Sequence, residues 1–131
     1  MILADTSIWI EMFRKARFKA EMAELIATDQ LCIHPFVVAE LACGSLPDRQ
    51  RTLTNLDKLT ALPVVRLADV RVMIEARQLW ARGIGLTDAQ LIASCLATPG
   101  THLWTLDRPL GRVTEALGIR AAVHTRPRTQ P

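Results

Sequence analysis

Four carboxylates in this chain stand where solubility alone does not explain them. Asp5 follows directly on the apolar run Met1-Ile2-Leu3-Ala4, and Asp107 follows Leu103-Trp104-Thr105-Leu106 in the same way. Both belong at the carboxyl ends of short buried strands, where open α/β sheets bind their ligands. Glu40 falls on a helix whose neighbours three and four residues away are Phe36, Val37, Cys43 and Gly44. A charge on such an apolar face is costly unless it is paired or bound to metal. Asp88 opens a helix that is almost wholly apolar through Leu96, so the start of that helix belongs deep in the molecule. Each acid has an ordinary alternative: a cap or turn for Asp5, a cap for Asp107, a partner arginine for Glu40, and the helix dipole for Asp88. Together they say more. Four carboxylates gathered at one sheet edge would repel one another, and some would take up protons. A divalent cation removes that conflict. Oxygen donors with no histidine or thiol beside them suit magnesium, with manganese the second choice, and not zinc.

The elements that must carry these acids can be read from the alternation of short apolar runs with longer amphipathic ones. Strands are expected at Met1–Ala4, Leu31–Ile33, Pro63–Val65, Leu103–Thr105 and Ile119–Val123. Helices are expected from Thr6-Ser7, as cap, to Phe13; over Phe18–Thr28; from His34-Pro35 to a stop at Gly44; over residues 48–59; and over 69–82 up to Gly83. Thr87 and Gln90 have capping-box spacing at the start of a helix running to Ala97, and Gly118 stops one that begins at Pro109. Strands alternating with helices imply parallel pairing through right-handed crossovers. The expected fold is a three-layer α/β/α sandwich with a small parallel sheet of four or five strands. It forms one domain over residues 1–123, followed by a basic tail at 124–131.

Composition narrows the classes. At 131 residues the chain suits a single core. No apolar run reaches a membrane span, and the acid at position 5 makes a poor signal peptide, so a cytoplasmic protein is expected. Cys32, Cys43 and Cys95 show no zinc or disulfide spacing and read as buried structural thiols. The net charge is +3, and arginine dominates the basic residues, which is compatible with a phosphate-bearing partner. His34 reads as a helix cap, and His34, His102 and His124 make no ligand set.

At these residues the chain resembles the PIN-domain family, and within it the VapC toxins of bacterial toxin–antitoxin pairs. The matching segments are Ala4-Asp5-Thr6-Ser7-Ile8-Trp9-Ile10, Val38-Ala39-Glu40-Leu41-Ala42-Cys43-Gly44, Gly85-Leu86-Thr87-Asp88-Ala89-Gln90-Leu91-Ile92-Ala93 and Leu103-Trp104-Thr105-Leu106-Asp107. By this resemblance Asp5, Glu40, Asp88 and Asp107 match the four acidic metal-site positions, and Thr6, Ser7 and Thr105 the hydroxyl positions beside them. Where many members carry a further acid two residues after the fourth, this chain has Pro109, which leaves one or two ions open. The resemblance implies a magnesium-dependent endoribonuclease acting on structured RNA such as transfer RNA. It also implies a homodimer and a cognate VapB-like antitoxin.

Arg82, Arg108 and Arg112 are the candidates to hold an RNA backbone. Trp9, Met12 and Phe13, on a segment very apolar for an outer helix, are candidates for a groove that receives a partner helix. A phosphatase built on an aspartyl nucleophile would want an acid at position 7, where Ser7 stands. A phospho-acceptor domain would want a lysine near the last strands, but Lys15, Lys19 and Lys58 all lie in the first half. The remaining alternative is a PIN-like module that binds RNA without cutting it.

Overall fold

The computed structural model describes residues 1–123; the expected basic tail, 124–131, lies outside the described residues. Four strands, β1 (Ile2–Ala4), β2 (Leu31–Ile33), β3 (Thr60–Ala61) and β4 (His102–Trp104), form one sheet in the order β3-β2-β1-β4. Every pairing is parallel, with Leu3 opposite Cys32 on one side and Leu103 on the other. Leu31, Cys32 and Ile33 are all buried, as are Leu3 and Ala4. Successive strand residues point to opposite faces, so helices cover the sheet on both sides, and the expected α/β/α sandwich is observed.

Among the described residues seven helices connect and cover the strands: α1 (Thr6–Lys15), α2 (Lys19–Ala27), α3 (Pro35–Ala42), α4 (Arg49–Asp57), α5 (Leu67–Ala76), α6 (Leu86–Ala97) and α7 (Arg108–Ala116). Their caps follow local chemistry. His34 sits at the N-cap of α3, where its Nδ1 accepts the Phe36 N–H at 2.9 Å, as the sequence suggests. Gly118, at φ 72°, stops α7 in the left-handed region that favours glycine. The cap of α1 is Asp5 rather than Thr6 or Ser7, with its carboxylate accepting from Ile8 N–H at 3.3 Å.

Several expectations are corrected. Pro63–Val65 is not a strand; the strand that pairs with β2 is Thr60–Ala61 instead. The reason is a side chain: the Gln90 amide accepts the Val65 N–H at 2.7 Å and donates to its carbonyl at 2.9 Å. Gln90, expected in a capping box with Thr87, is thereby committed to the core; Asp88 takes the capping role, accepting the Gly85 N–H at 3.2 Å. The helix expected over 69–82 ends at Ala76, because Gln78 adopts φ 54° and the N–H groups of Gln78 and Leu79 return to Glu75 and Ile74 carbonyls in a Schellman closure. Ile119–Val123 makes a single parallel bridge, Arg120 with Leu103, not a full strand. Cys32 and Cys95 are buried with thiols pushed up to about 11 and about 12 by desolvation, but Cys43 is exposed. Among the described residues no helix is long and apolar enough to cross a membrane.

Candidate active site

The strand order reverses at β1. The chain runs outward from β1 to β2 and β3, then returns to lay β4 on the other side of β1. Such a reversal opens a crevice at the carboxyl ends of β1 and β4. Asp5 leaves β1 and Thr105-Leu106-Asp107 leaves β4 at that crevice, with Asp5 N–H still bonded to the Trp104 carbonyl at 3.0 Å. The start of α6 brings Asp88, and α3 brings Glu40. Asp5, Thr6, Ser7, Glu40, Asp88 and Asp107 line one cleft of about 420 Å³ with Gly85, Leu86, Thr87 and Leu91. All four carboxylates singled out in the sequence therefore meet, as do two of the three hydroxyls. Thr105 stands behind them, buried against Asp5.

A short hydroxyl relay fixes the centre of the cleft. Ser7 Oγ donates to Asp5 Oδ1 at 2.5 Å and accepts the Leu106 N–H at 3.1 Å. Thr105 Oγ1 donates to Asp5 Oδ2 and accepts the Asp107 N–H at 3.0 Å. The loop after β4 is thus tied to the start of α1 through the Asp5 carboxylate. Asp107 is also the N-cap of α7, accepting from Leu110 N–H at 3.0 Å through Oδ2. Its structural role and its place in the cleft coexist.

Electrostatics record the crowding. Burial raises the Asp5 carboxyl, Ser7, Thr105 and Ile8 N–H pull it down, and the Asp88 charge raises it further. Glu40 is raised by partial desolvation and then by Asp88 and Asp5, against a lowering hydrogen bond from Thr6. Asp88 is raised by burial and by Asp107, against its bond to Gly85 N–H. Among the described residues no arginine pairs with Glu40: the ion pairs found there are Lys15–Glu11, Arg17–Glu11, Arg66–Asp69 and Arg120–Glu115.

The three arginines separate. Arg82 and Arg112 line a second cleft with Ala81, Gly83, Pro109 and Val113, close to the first because the loop that supplies Arg82 runs on into Gly85. Arg108 is exposed on the first turn of α7 and lines neither cleft. The α1 groove is corrected in part: Trp9 is a core residue stacked on Phe13 at 5.9 Å, while Met12 and Phe13 are half-buried.

Residues 2–116 match the family model described as the PIN domain. The chain belongs to the PIN-domain family. This PIN domain is 40% identical over 122 residues to Ribonuclease VapC32 of Mycobacterium tuberculosis in each of two strains, an alignment covering 93% of this chain and 97% of the relative. Among solved structures it resembles PAE2754 from Pyrobaculum aerophilum, with a TM-score of 0.60 over 88% of this chain and 90% of that one. At 19% identity that likeness speaks to the fold alone.

Among the described residues no three His, Cys, Asp or Glu side chains are grouped so as to hold a metal ion by direct contact alone. Magnesium keeps much of its water and is held by one or two carboxylates, whereas a structural zinc site needs four direct donors. An open cleft with separated carboxylates therefore suits the first and not the second. Gly85, Leu86, Thr87 and Leu91 are pocket residues that sequence reasoning did not assign to the site; their only signal was proximity to Asp88.

Proposed function

We propose that this PIN domain is a magnesium-dependent endoribonuclease, the toxin of a toxin–antitoxin pair, hydrolysing phosphodiester bonds in structured RNA such as transfer RNA. The observation that carries the reading is the convergence of Asp5, Glu40, Asp88 and Asp107 on one cleft at the β1–β4 crossover. The relative named a ribonuclease, aligned over nearly the whole chain, supports the substrate class.

Asp5 and Asp88 would hold the ion, with Glu40 and Asp107 assisting directly or through water; manganese would serve in place of magnesium. When bound, the ion supplies charge stabilisation at the phosphoryl oxygens and makes the attacking water more acidic. Glu40 or Asp88 would accept that water's proton, each carboxyl being raised by burial first; Thr6 hydrogen-bonds Glu40. The Ser7 and Thr105 hydroxyls keep Asp5 facing the cleft. Arg82, Arg112 and, at the rim, Arg108 hold the RNA backbone. A VapB-like antitoxin, a homodimeric state and a cytoplasmic location complete the reading; co-expression with a VapB-like antitoxin followed by co-purification tests the partnership.

The chemistry is tested by incubating purified protein with transfer RNA. Cleavage should require magnesium and stop with chelator. Asp5→Asn and Asp88→Asn should each lower the rate by roughly a hundredfold or more with circular dichroism unchanged. Full activity in both variants sinks the assignment.

A further inference from the structure

Trp9 and Trp104 are core residues, 4% and 6% exposed, whereas Trp80 is 55% exposed. The backbone holds it outward. The Schellman closure of α5 turns Leu79 into the core, where it is 2% exposed. Ala81 at φ 57° and Gly83 at φ 78° then turn the chain again. A Cβ on Gly83 would meet the Pro109 Cβ at 3.2 Å, so this loop is seated directly on the start of α7. Trp80 directly precedes Ala81 and stands two residues before Arg82, both of which line the cleft that also holds Arg112. From Ala76 to Thr87 the chain carries Arg77 and Arg82 and no acid. Neither Arg82 nor Arg112 belongs to an ion pair found among the described residues. Trp80 is five residues from Gly85 at the acidic cleft, a span of at most about 18 Å.

We propose that Trp80 is a stacking platform for an unpaired base of the RNA substrate, with Arg82 and Arg112 holding the phosphates between that base and the bond to be cut. The proposal rests on the ribonuclease reading above. A flat aromatic face beside unpaired guanidinium groups is the combination that binds single-stranded nucleic acid, because every base has a face to stack and every nucleotide a phosphate. Bases locked in a duplex are not free to stack. The platform therefore favours loops and single strands over paired RNA, and acts on specificity rather than on the bond-breaking step.

The test exploits the burial of the other two tryptophans. Full-length Asp88→Asn protein, which should bind without cutting, is titrated with a single-stranded oligouridylate, a duplex of equal length and an abasic ribose-phosphate strand. The single strand should quench tryptophan fluorescence, and the abasic strand should not. Trp80→Phe should abolish the quench while keeping the affinity; Trp80→Ala should weaken binding roughly tenfold. In the otherwise unaltered enzyme, Trp80→Ala should raise KM with kcat little changed. Equal affinity in Trp80→Ala and its parent overturns the platform even if the enzyme cuts RNA. So does a Trp80→Ala chain whose weakened binding is the same for duplex and single strand and accompanies a loss of self-association in sedimentation, which would make Trp80 a protein contact. A protein that shows the quench but cuts no RNA keeps the platform and loses the ribonuclease reading.

Discussion

Asp5 does two things with one carboxylate. Oδ1 accepts from Ser7 and from Ile8 N–H, and Oδ2 accepts from Thr105. An ionised carboxylate offers about four acceptor positions, so one remains, on Oδ2, for a ligand in the cleft. The residue types at the site were legible in the sequence because a carboxylate beside apolar neighbours needs an explanation. The relay was not, since Ser7 and Thr105 are 98 positions apart in the chain (positions 7 and 105) and meet only through the β1–β4 pairing. His34 shows the same limit. The sequence points to its capping role, but not to its second bond, Nε2 to Ser94 Oγ at 2.8 Å, which in turn reaches the Pro63 carbonyl at 2.7 Å. With Nδ1 accepting from Phe36, the proton sits on Nε2 and the ring is neutral. Burial lowers the His34 value below the ordinary 6.5. Near and below pH 6.5 the unfolded chain takes up a proton that the folded ring refuses. This contribution to stability is therefore complete above pH 6.5 and is lost as pH falls toward the folded value. His34→Asn keeps a capping side chain and removes the titration. It should cost about 1–3 kcal/mol at neutral pH through the orphaned Ser94 contact, and denaturant midpoints should fall less between pH 7 and pH 5.5 than in the parent. An equal fall in both excludes His34 as the titrating group.

At the scale of elements, the helices that carry the acids were the easier part. Pro35 and the apolar run of α6 mark helices in any context, and strands of three apolar residues such as Leu31–Ile33 stand out between polar neighbours. What failed was competition decided by tertiary contact. Val64-Val65 has strand chemistry, yet the Gln90 amide occupies the Val65 backbone groups, and Val64 is left 50% exposed. The early end of α5 has no glycine or proline to announce it; Gln78 takes the left-handed position, and the burial of Leu79 offsets the cost. Pro109, which departs from the family's acidic pattern, has a structural use: it receives Gly83 and so fixes the loop between α5 and α6 beside both clefts. Gly83→Ala combines a positive φ with that close approach. It should lose about 1–2 kcal/mol of stability, and RNA cleavage should show a higher KM because Arg82 and Trp80 ride on the same loop. Parent-like melting and kinetics would remove the loop from the account.

For the whole molecule, the decisive fact is topological. A strand order of β3-β2-β1-β4 puts the ends of β1 and β4 side by side, and the last turn of α3 and the first turn of α6 converge on the same edge. Nothing local in the sequence states that order; the right-handed crossover rule and the resemblance together made it foreseeable. The consequence is a cleft in which burial first, and then the neighbouring carboxylates, raise the proton affinity of Asp5, Glu40 and Asp88. An ion that binds the folded protein and not the unfolded chain stabilises it by mass action. Melting temperature should therefore rise with magnesium concentration, and Asp88→Asn, with one repulsion removed, should melt higher without magnesium and respond less to it. The most direct measurement follows the cleavage rate of one end-labelled transfer RNA as magnesium is titrated into the parent protein and into Asp88→Asn. The account predicts saturable magnesium activation in the parent and a loss of roughly a hundredfold or more in the variant at every concentration. Magnesium-independent cleavage, or an Asp88→Asn curve that overlays the parent, would contradict it.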